Sequence, residues 1–356
     1  MCIDPNPIEG WCAQNGTGAP GRGFPFRVVC MNRVRFFGVV AVLVSACVCS
    51  RAASGRDSTG TAQAAVAGQQ QLAILDTDIG DDIDDAFALA LVLRSPEIKL
   101  LGIETAFGDT ELRARLVDRY LKAVGRTDIP VLAGKATPHN NVFTQAAYAE
   151  REPARKHKDG VQFLLDQIKA HPGEVTLIAI GPLVNVGEAI RRDPETFRKL
   201  KRVVMMGGSV YRGYGQGRPP EPEWNIKLDP EAAKLLFGAG VPIFMMPLDS
   251  TQIPLGAAER DRLFSFGSPL TDQLTLLYHQ WAAMNEGHSP NPTLFDPVAA
   301  AYAVKPELCP VKTVRIEVDD KGMTKPVDGA PNANVCVESD EKGFVEFLVG
   351  RITAEK

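Results

Sequence analysis

The sequence predicts an open, doubly wound α/β sheet, mostly parallel, with helices on both faces. Three observations carry that prediction. Beyond residue 71, short continuous apolar runs alternate with longer stretches of helical periodicity, and strands buried on both faces read as continuous apolar runs. The intervening helices imply parallel crossovers. Gly108, Gly134, Gly181-Pro182, Gly207-Gly208 and Pro247 punctuate the strand exits, and in such sheets ligands bind at the carboxyl ends of the strands.

In chain order the elements are strand 72–75, helix 83–93, strand 99–105, helix 112–124, strand 131–132, helix 160–170, strand 175–180 and helix 186–192. Strand 202–206, helix 230–237, strand 241–246, helices 270–285 and 297–304, and strand 314–318 follow. Asp-Pro recurs at Asp193, Asp229 and Asp296, each ahead of a helix, where the acid caps and proline fits the first turn. Segment 211–222 is rich in Gly and Pro and aperiodic, a loop and a candidate flap near a site. No internal repeat is present.

Residues 72–356 suffice for one large domain with a full core. Apolar content of 45% and charged content of 23% are ordinary for a globular protein. A formal net charge of −4 and the lack of a basic stripe argue against nucleic acid as partner. Residues 1–30 are Gly- and Pro-rich without periodicity and read as a leader outside the fold, with translation expected to start at Met31. Residues 31–53 read as an export signal: Arg33 and Arg35 precede an apolar stretch, 36–48, too short for a membrane span. Val44-Ser45-Ala46-Cys47 resembles a lipobox, so attachment to a membrane through lipidated Cys47 is expected, with simple secretion after cleavage near Ala53 as the alternative. Residues 54–71 form a flexible tether. The expected location is outside the cytoplasm, periplasmic or membrane-anchored, in a bacterium. Of seven cysteines only Cys309 and Cys336 lie in the domain, and two buried thiols are expected rather than a bridge. No Cys/His zinc spacing exists.

The chemistry concentrates in Asp76-Thr77-Asp78-Ile79-Gly80-Asp81-Asp82-Ile83-Asp84-Asp85, six carboxylates in ten residues after the first strand. Charges roughly 6 Å apart repel by about 3 kcal/mol per pair at an effective dielectric near 20. Such a turn needs a compensating cation or protons, and carboxylate oxygens suit Ca²⁺ or Mg²⁺. An EF-hand loop counted from Asp76 would need Glu where Phe87 stands, so that reading fails. A haloacid-dehalogenase-like phosphatase would use Asp76 as nucleophile and Asp78 as acid, but the run to Asp85 is not its pattern. A helix start absorbs one or two acids, not six.

These residues resemble the opening motif D-x-D-P-G-x-D-D-A of the nucleoside hydrolase family, calcium-dependent ribonucleoside N-glycosidases, with two extra residues before Asp84-Asp85-Ala86. The resemblance extends through 176–185 (ending Gly181-Pro182-Leu183-Val184-Asn185), Met205-Met206-Gly207-Gly208, Glu223-Trp224-Asn225 with Asp229-Pro230-Glu231-Ala232-Ala233, Leu248-Asp249, and Phe295-Asp296-Pro297. It implies Ca²⁺ held by Asp78, Asp85, Asp296 and the Ile180 carbonyl, with Asp78 as general base. It also implies a ribonucleoside substrate, a strong preference for ribosides over deoxyribosides, and a homo-oligomer by family analogy. Asp82 or Asp84 would accept a ribose hydroxyl, and Glu223 and Asn225 would contact its 5′ and 3′ side. Two departures stand out: Asp109 follows Gly108 where relatives carry Asn, and Phe295 stands where they carry a histidine acid. The leaving base would then be protonated by His157, His279 or His288, or stacked on Phe295 or Trp281, the route of purine-preferring relatives. The alternative is an exported nucleoside- or pentose-binding lipoprotein without catalysis.

Overall fold

The computed structural model describes residues 70–138 and 143–354. The leader, the export signal with Cys47, and the tether up to residue 69 lie outside the described residues. The first apolar run forms β1 (Gln71–Thr77), and the chain turns through the acidic segment into α1 (Asp84–Leu93). There follow β2 (Ile98–Thr105), α2 (Thr110–Ala123), β3 (Val131–Ala133), α3 (Ala146–Ala149), β4 (Lys158–Asp159) and α4 (Gly160–Ala170). The next units are β5 (Thr176–Ala179), α5 (Val184–Arg192), α6 (Pro194–Phe197), β6 (Arg202–Met206), α7 (Trp224–Lys227), α8 (Pro230–Gly238) and β7 (Ile243–Met246). The C-terminal third holds α9 (Leu248–Thr251), α10 (Ala257–Ser265), α11 (Pro269–Met284), α12 (Phe295–Val304), β8 (Val311–Val318), β9 (Thr324–Val327), β10 (Ala333–Cys336) and α13 (Glu341–Ile352).

The strands form one sheet in the order β4-β3-β2-β1-β5-β6-β7-β10-β8-β9. Pairing is parallel from β4 through β10, while β8 runs antiparallel to both β10 and β9. The strand order reverses between β1 and β5, and such a switch point opens a crevice beyond the carboxyl ends of the two strands. Side chains alternate across β1: Ala73 and Leu75 join the core with α1, α11 and α12, whereas Ile74 joins the opposite core with α4, α5 and α8. α1 is buried on all sides, a pattern expected of a helix sandwiched between a sheet and an outer helical layer.

Cys309 and Cys336 form a disulfide, which corrects the expectation of two thiols. The cause is topological. β10 returns alongside β8 so that Cys336 pairs with Val311, bringing cysteines 27 residues apart to a Cα–Cα distance of 5.6 Å, within bridging range.

Candidate active site

The carboxyl ends of β1, β5 and β6 and the starts of α1, α7 and α12 enclose a cavity of about 310 Å³. Its lining includes seven carboxylic side chains, Asp78, Asp81, Asp82, Asp84, Asp85, Glu223 and Asp296, together with Ile180, Met206, Tyr214, Trp224, Asn225 and Phe295. Asp84 and Asp85 occupy the first turn of α1 and Asp296 the first turn of α12. Two helix N-termini therefore open onto the same site, and each partly offsets negative charge.

Carboxylate oxygens of Asp84, Asp85 and Asp296 lie within 4.8 Å of one another, and all three residues are buried. Asp84 Oδ2 accepts the Asp296 backbone N–H at 3.1 Å, and the Thr77 hydroxyl donates to Asp85 Oδ1. Burial first, then neighbouring carboxylates, hold all three acids well above their usual range. Asp78 is pushed up to about 7 by burial, against the pull of the Arg113 guanidinium. A dry group of hard oxygens that repel one another fits a divalent cation.

The structure separates the sequence-derived residues into three groups. Asp84, Asp85 and Asp296 come together, and Asp78 and Ile180 line the same pocket. Asn225 lies against Ile180: its amide donates to the Ile180 carbonyl at 3.1 Å and to the Met206 carbonyl at 3.2 Å, tying the ends of β5 and β6 together. Glu223 caps α7, accepting from the backbone N–H groups of Gly208, Asn225 and Ile226, and burial raises it to about 7. Asp82 stands exposed at the mouth, where Ile83 N–H and the Trp281 side chain hydrogen-bond its carboxylate. Trp281 thus reaches the site through Asp82 rather than as pocket wall.

Two residues are corrected. Asp109 is exposed and caps α2, accepting from Leu112 N–H at 3.0 Å, so it does not reach the pocket. His157 is buried elsewhere, its ring clamped by Glu111 at 2.6 Å and Asp118 at 2.9 Å. His279 and His288 are exposed and do not line the cavity either. Asp76 turns away from the pocket: it is fully buried and accepts from the Asn185 amide at 2.8 Å. The phosphatase reading needed it as an accessible nucleophile.

Sequence reasoning missed Arg113 and Tyr214. Arg113 is fully buried. Its Nε donates to the Phe107 carbonyl at 2.8 Å, Nη1 to the carbonyls of Asp78 and Ile79, and Nη2 to Asp81 at 2.9 Å. A charge among Ala114, Leu116, Val117 and Tyr120 on the apolar face of α2 was the available signal. The two-residue insertion is braced from its other side. Gly80 adopts φ +127, a Cβ there would strike the Phe143 ring, and Gln145 donates to the Gly80 and Asp82 carbonyls. Tyr214 enters from the 211–222 loop, which α9 pins in place. Asp249 accepts from Val210 and Tyr211 N–H at 2.9 and 2.8 Å, and Gln252 bonds Gly213 and Gly215.

Residues 73–346 match the family model described as inosine-uridine preferring nucleoside hydrolase. The pyrimidine-specific ribonucleoside hydrolase RihA of Enterobacter sp. (strain 638) is 34% identical over 311 residues, covering 78% of this chain and 96% of that protein. Its counterpart in Citrobacter koseri is 33% identical, covering 78% and 97%. Among solved structures, a plant nucleoside hydrolase superposes with a TM-score of 0.71 at 27% identity, covering 80% of this chain and 99% of its own. The purine-preferring ribonucleoside hydrolase from Gardnerella vaginalis gives 0.69 at 25% identity, covering 80% and 98%. With the acidic crevice at the sheet's switch point, these matches lead to one conclusion: the chain belongs to the inosine-uridine preferring nucleoside hydrolase family and is a hydrolase of ribonucleoside N-glycosyl bonds.

Proposed function

We propose that this chain cleaves ribonucleosides to free base and ribose with Ca²⁺ seated on Asp84, Asp85 and Asp296, beside Asp78 and the Ile180 carbonyl. The observation that carries this reading is the convergence of three buried carboxylates from α1 and α12, 212 residues apart at Asp84 and Asp296. A bound divalent cation supplies positive charge that orients water and the sugar diol and makes that water more acidic.

The remaining work falls to the chain's own groups. Asp78 accepts the proton of the attacking water as its oxygen approaches the anomeric carbon, through an oxocarbenium-like state. Asp82, at the mouth, accepts from a ribose hydroxyl, and Glu223 and Asn225 form the floor against the 5′ and 3′ side. Phe295, Tyr214 and Trp224 give the cavity an aromatic wall that supports stacking of a purine. Export of the mature domain is part of the same proposal, supported by the Cys309–Cys336 disulfide, a bond of oxidising compartments.

The test is release of base from inosine and uridine, and of nitrophenol from p-nitrophenyl riboside, with and without chelator. Expected are turnover that needs the divalent ion, its loss in Asp78→Ala, and inosine faster than uridine. Turnover of 2′-deoxyinosine should be lower by about 10³-fold or more, because the acceptor and the cation that would hold the 2′-hydroxyl lose their partner. Nitrophenol release that survives Asp78→Ala would remove the base assignment.

A further inference from the structure

Breaking the glycosidic bond leaves an electron pair on a base nitrogen, and something in the pocket must meet that charge. Most of the wall has nothing to offer. Glu223 is spent as acceptor of three backbone N–H groups, the aspartates act as acceptors toward cation, water and sugar, and the side chains of Ile180, Met206 and Phe295 carry no polar hydrogen. Both amide hydrogens of Asn225 are already engaged by the carbonyls of Ile180 and Met206. Trp224 holds its ring edge-on to Phe107 at 6.3 Å, with the Lys227 ammonium 4.8 Å from its centre. Tyr214 remains. Its hydroxyl oxygen accepts the Trp224 backbone N–H at 3.1 Å, and among the described residues no acceptor takes its own proton.

We propose that Tyr214 is a catalytic residue that donates a hydrogen bond from its hydroxyl to the departing base. The inference rests on the hydrolase reading above and deepens it, because it names the group that replaces a histidine in a pocket without one. Tyr214 is built for the task. Its backbone N–H is held by Glu221 at 3.0 Å, its neighbours Gly213 and Gly215 are held by Gln252, and its ring packs edge-on against Phe295 at 6.2 Å. A donor fixed before the reaction costs little to reorganise as charge develops. Burial, then the nearby Glu223 carboxylate, raise its pKa, so the hydroxyl keeps its proton throughout the working range.

The step balances without any change in Tyr214. The C1′–N bond breaks with both electrons on the base, and the water oxygen bonds C1′. One water proton passes to Asp78 and on to solvent, and the base takes its proton from solvent while Tyr214 stays protonated.

The experiment compares Tyr214→Phe with the wild type on inosine, uridine and p-nitrophenyl riboside, with melting temperature measured alongside. Phenylalanine keeps the ring and its Phe295 contact. The expected result is a loss of about 10²–10³-fold in kcat/KM on the nucleosides, carried by kcat. Nitrophenolate needs no such help, so its release should change by less than about threefold. A loss of equal size on all three substrates with an unchanged melting temperature, or no loss on nucleosides, would overturn the proposal. A wild type inert on all three would instead remove the hydrolase reading beneath it. Tyr214→Leu, read in the same way, guards against an accident of one substitution.

Discussion

Helix α2 separates two acidic clusters that differ in how their charge is balanced. On one side Glu111 and Asp118 close on His157 from both ring nitrogens, and Asp118 also takes a two-point contact from Arg155 at 2.6 and 2.7 Å. Two carboxylates meet one guanidinium and one imidazole there, and the histidine side chain is sealed from solvent. On the other side the pocket crowds seven carboxylic groups near a single buried guanidinium, Arg113. The first cluster is complete within the chain and ties the segment before β4 to α2. The second holds more acid than the cations beside it can balance. An acid-rich surface by itself says little; the mismatch between acids and available cations is what marks a site.

The largest effects should therefore fall on the unbalanced side. Asp85→Asn should lower kcat/KM by about 10³-fold or more, since it removes a hard donor where transition-state charge is set, while His157→Gln should leave kcat/KM within about threefold. Steady-state rates on inosine check both, and comparable losses would erase the distinction.

Arg113→Met leaves three backbone carbonyls and Asp81 without the guanidinium. It should cost about 3–5 kcal/mol in urea unfolding, the range for breaking a buried charge pair. His157→Gln in the paired cluster should cost less, about 1–2 kcal/mol.

The two clusters should also answer differently to pH and calcium. The folded chain raises Asp76, Asp78 and Glu223 to about 7, and burial with neighbouring carboxylates holds Asp84, Asp85 and Asp296 well above their usual range. The native state then binds more protons than the unfolded chain above about pH 4, so stability without cation falls as pH rises through these values. Calcium should raise the melting temperature by about 5–10 °C at pH 8 and by less at pH 5, where protons compete. Burial opposes the charged form of His157, but its bonds to Asp118 and Glu111 win and raise its pKa. Its contribution is full below the unfolded value of about 6.5 and is lost as pH rises through the folded one. That loss should be insensitive to calcium and absent in His157→Gln. Melting curves on a pH grid with and without the ion separate the two.

The smallest effect belongs to Asp109→Ala, which should cost about 1 kcal/mol as a lost cap of α2 with kcat/KM unchanged. A fall in activity beyond that would return Asp109 to the site.

The parallel part of the fold was legible because β1, β5, β6 and β7 are near-continuous apolar runs, and predicted boundaries fell within about three residues of those observed. At the antiparallel edge only β8 was legible. β9 is only Thr-Lys-Pro-Val and β10 only Ala-Asn-Val-Cys, too short and mixed for periodicity to mark. α10 is crowded with charge and α13 carries two glycines, which hides both from propensity. In the pocket, side chains close to one another in sequence announced themselves, as Asp84 and Asp85 did. Arg113, Tyr214 and the cage around His157 depend on partners 32 to 46 residues or more away, or on a loop without period, and only the folded chain brings them together. The Asp109 expectation failed because capping the following helix uses the same carboxylate that a ligand contact would need.

The central claim is that the carboxylates of α1 and α12 share one divalent ion on which turnover depends. It is tested most directly by measuring inosine hydrolysis alongside metal content during chelator stripping and calcium return. The account predicts that activity falls with the ion, returns in proportion to it, and saturates at one equivalent per chain, with no recovery in Asp296→Ala. Full activity in a preparation holding far less than one equivalent would contradict it.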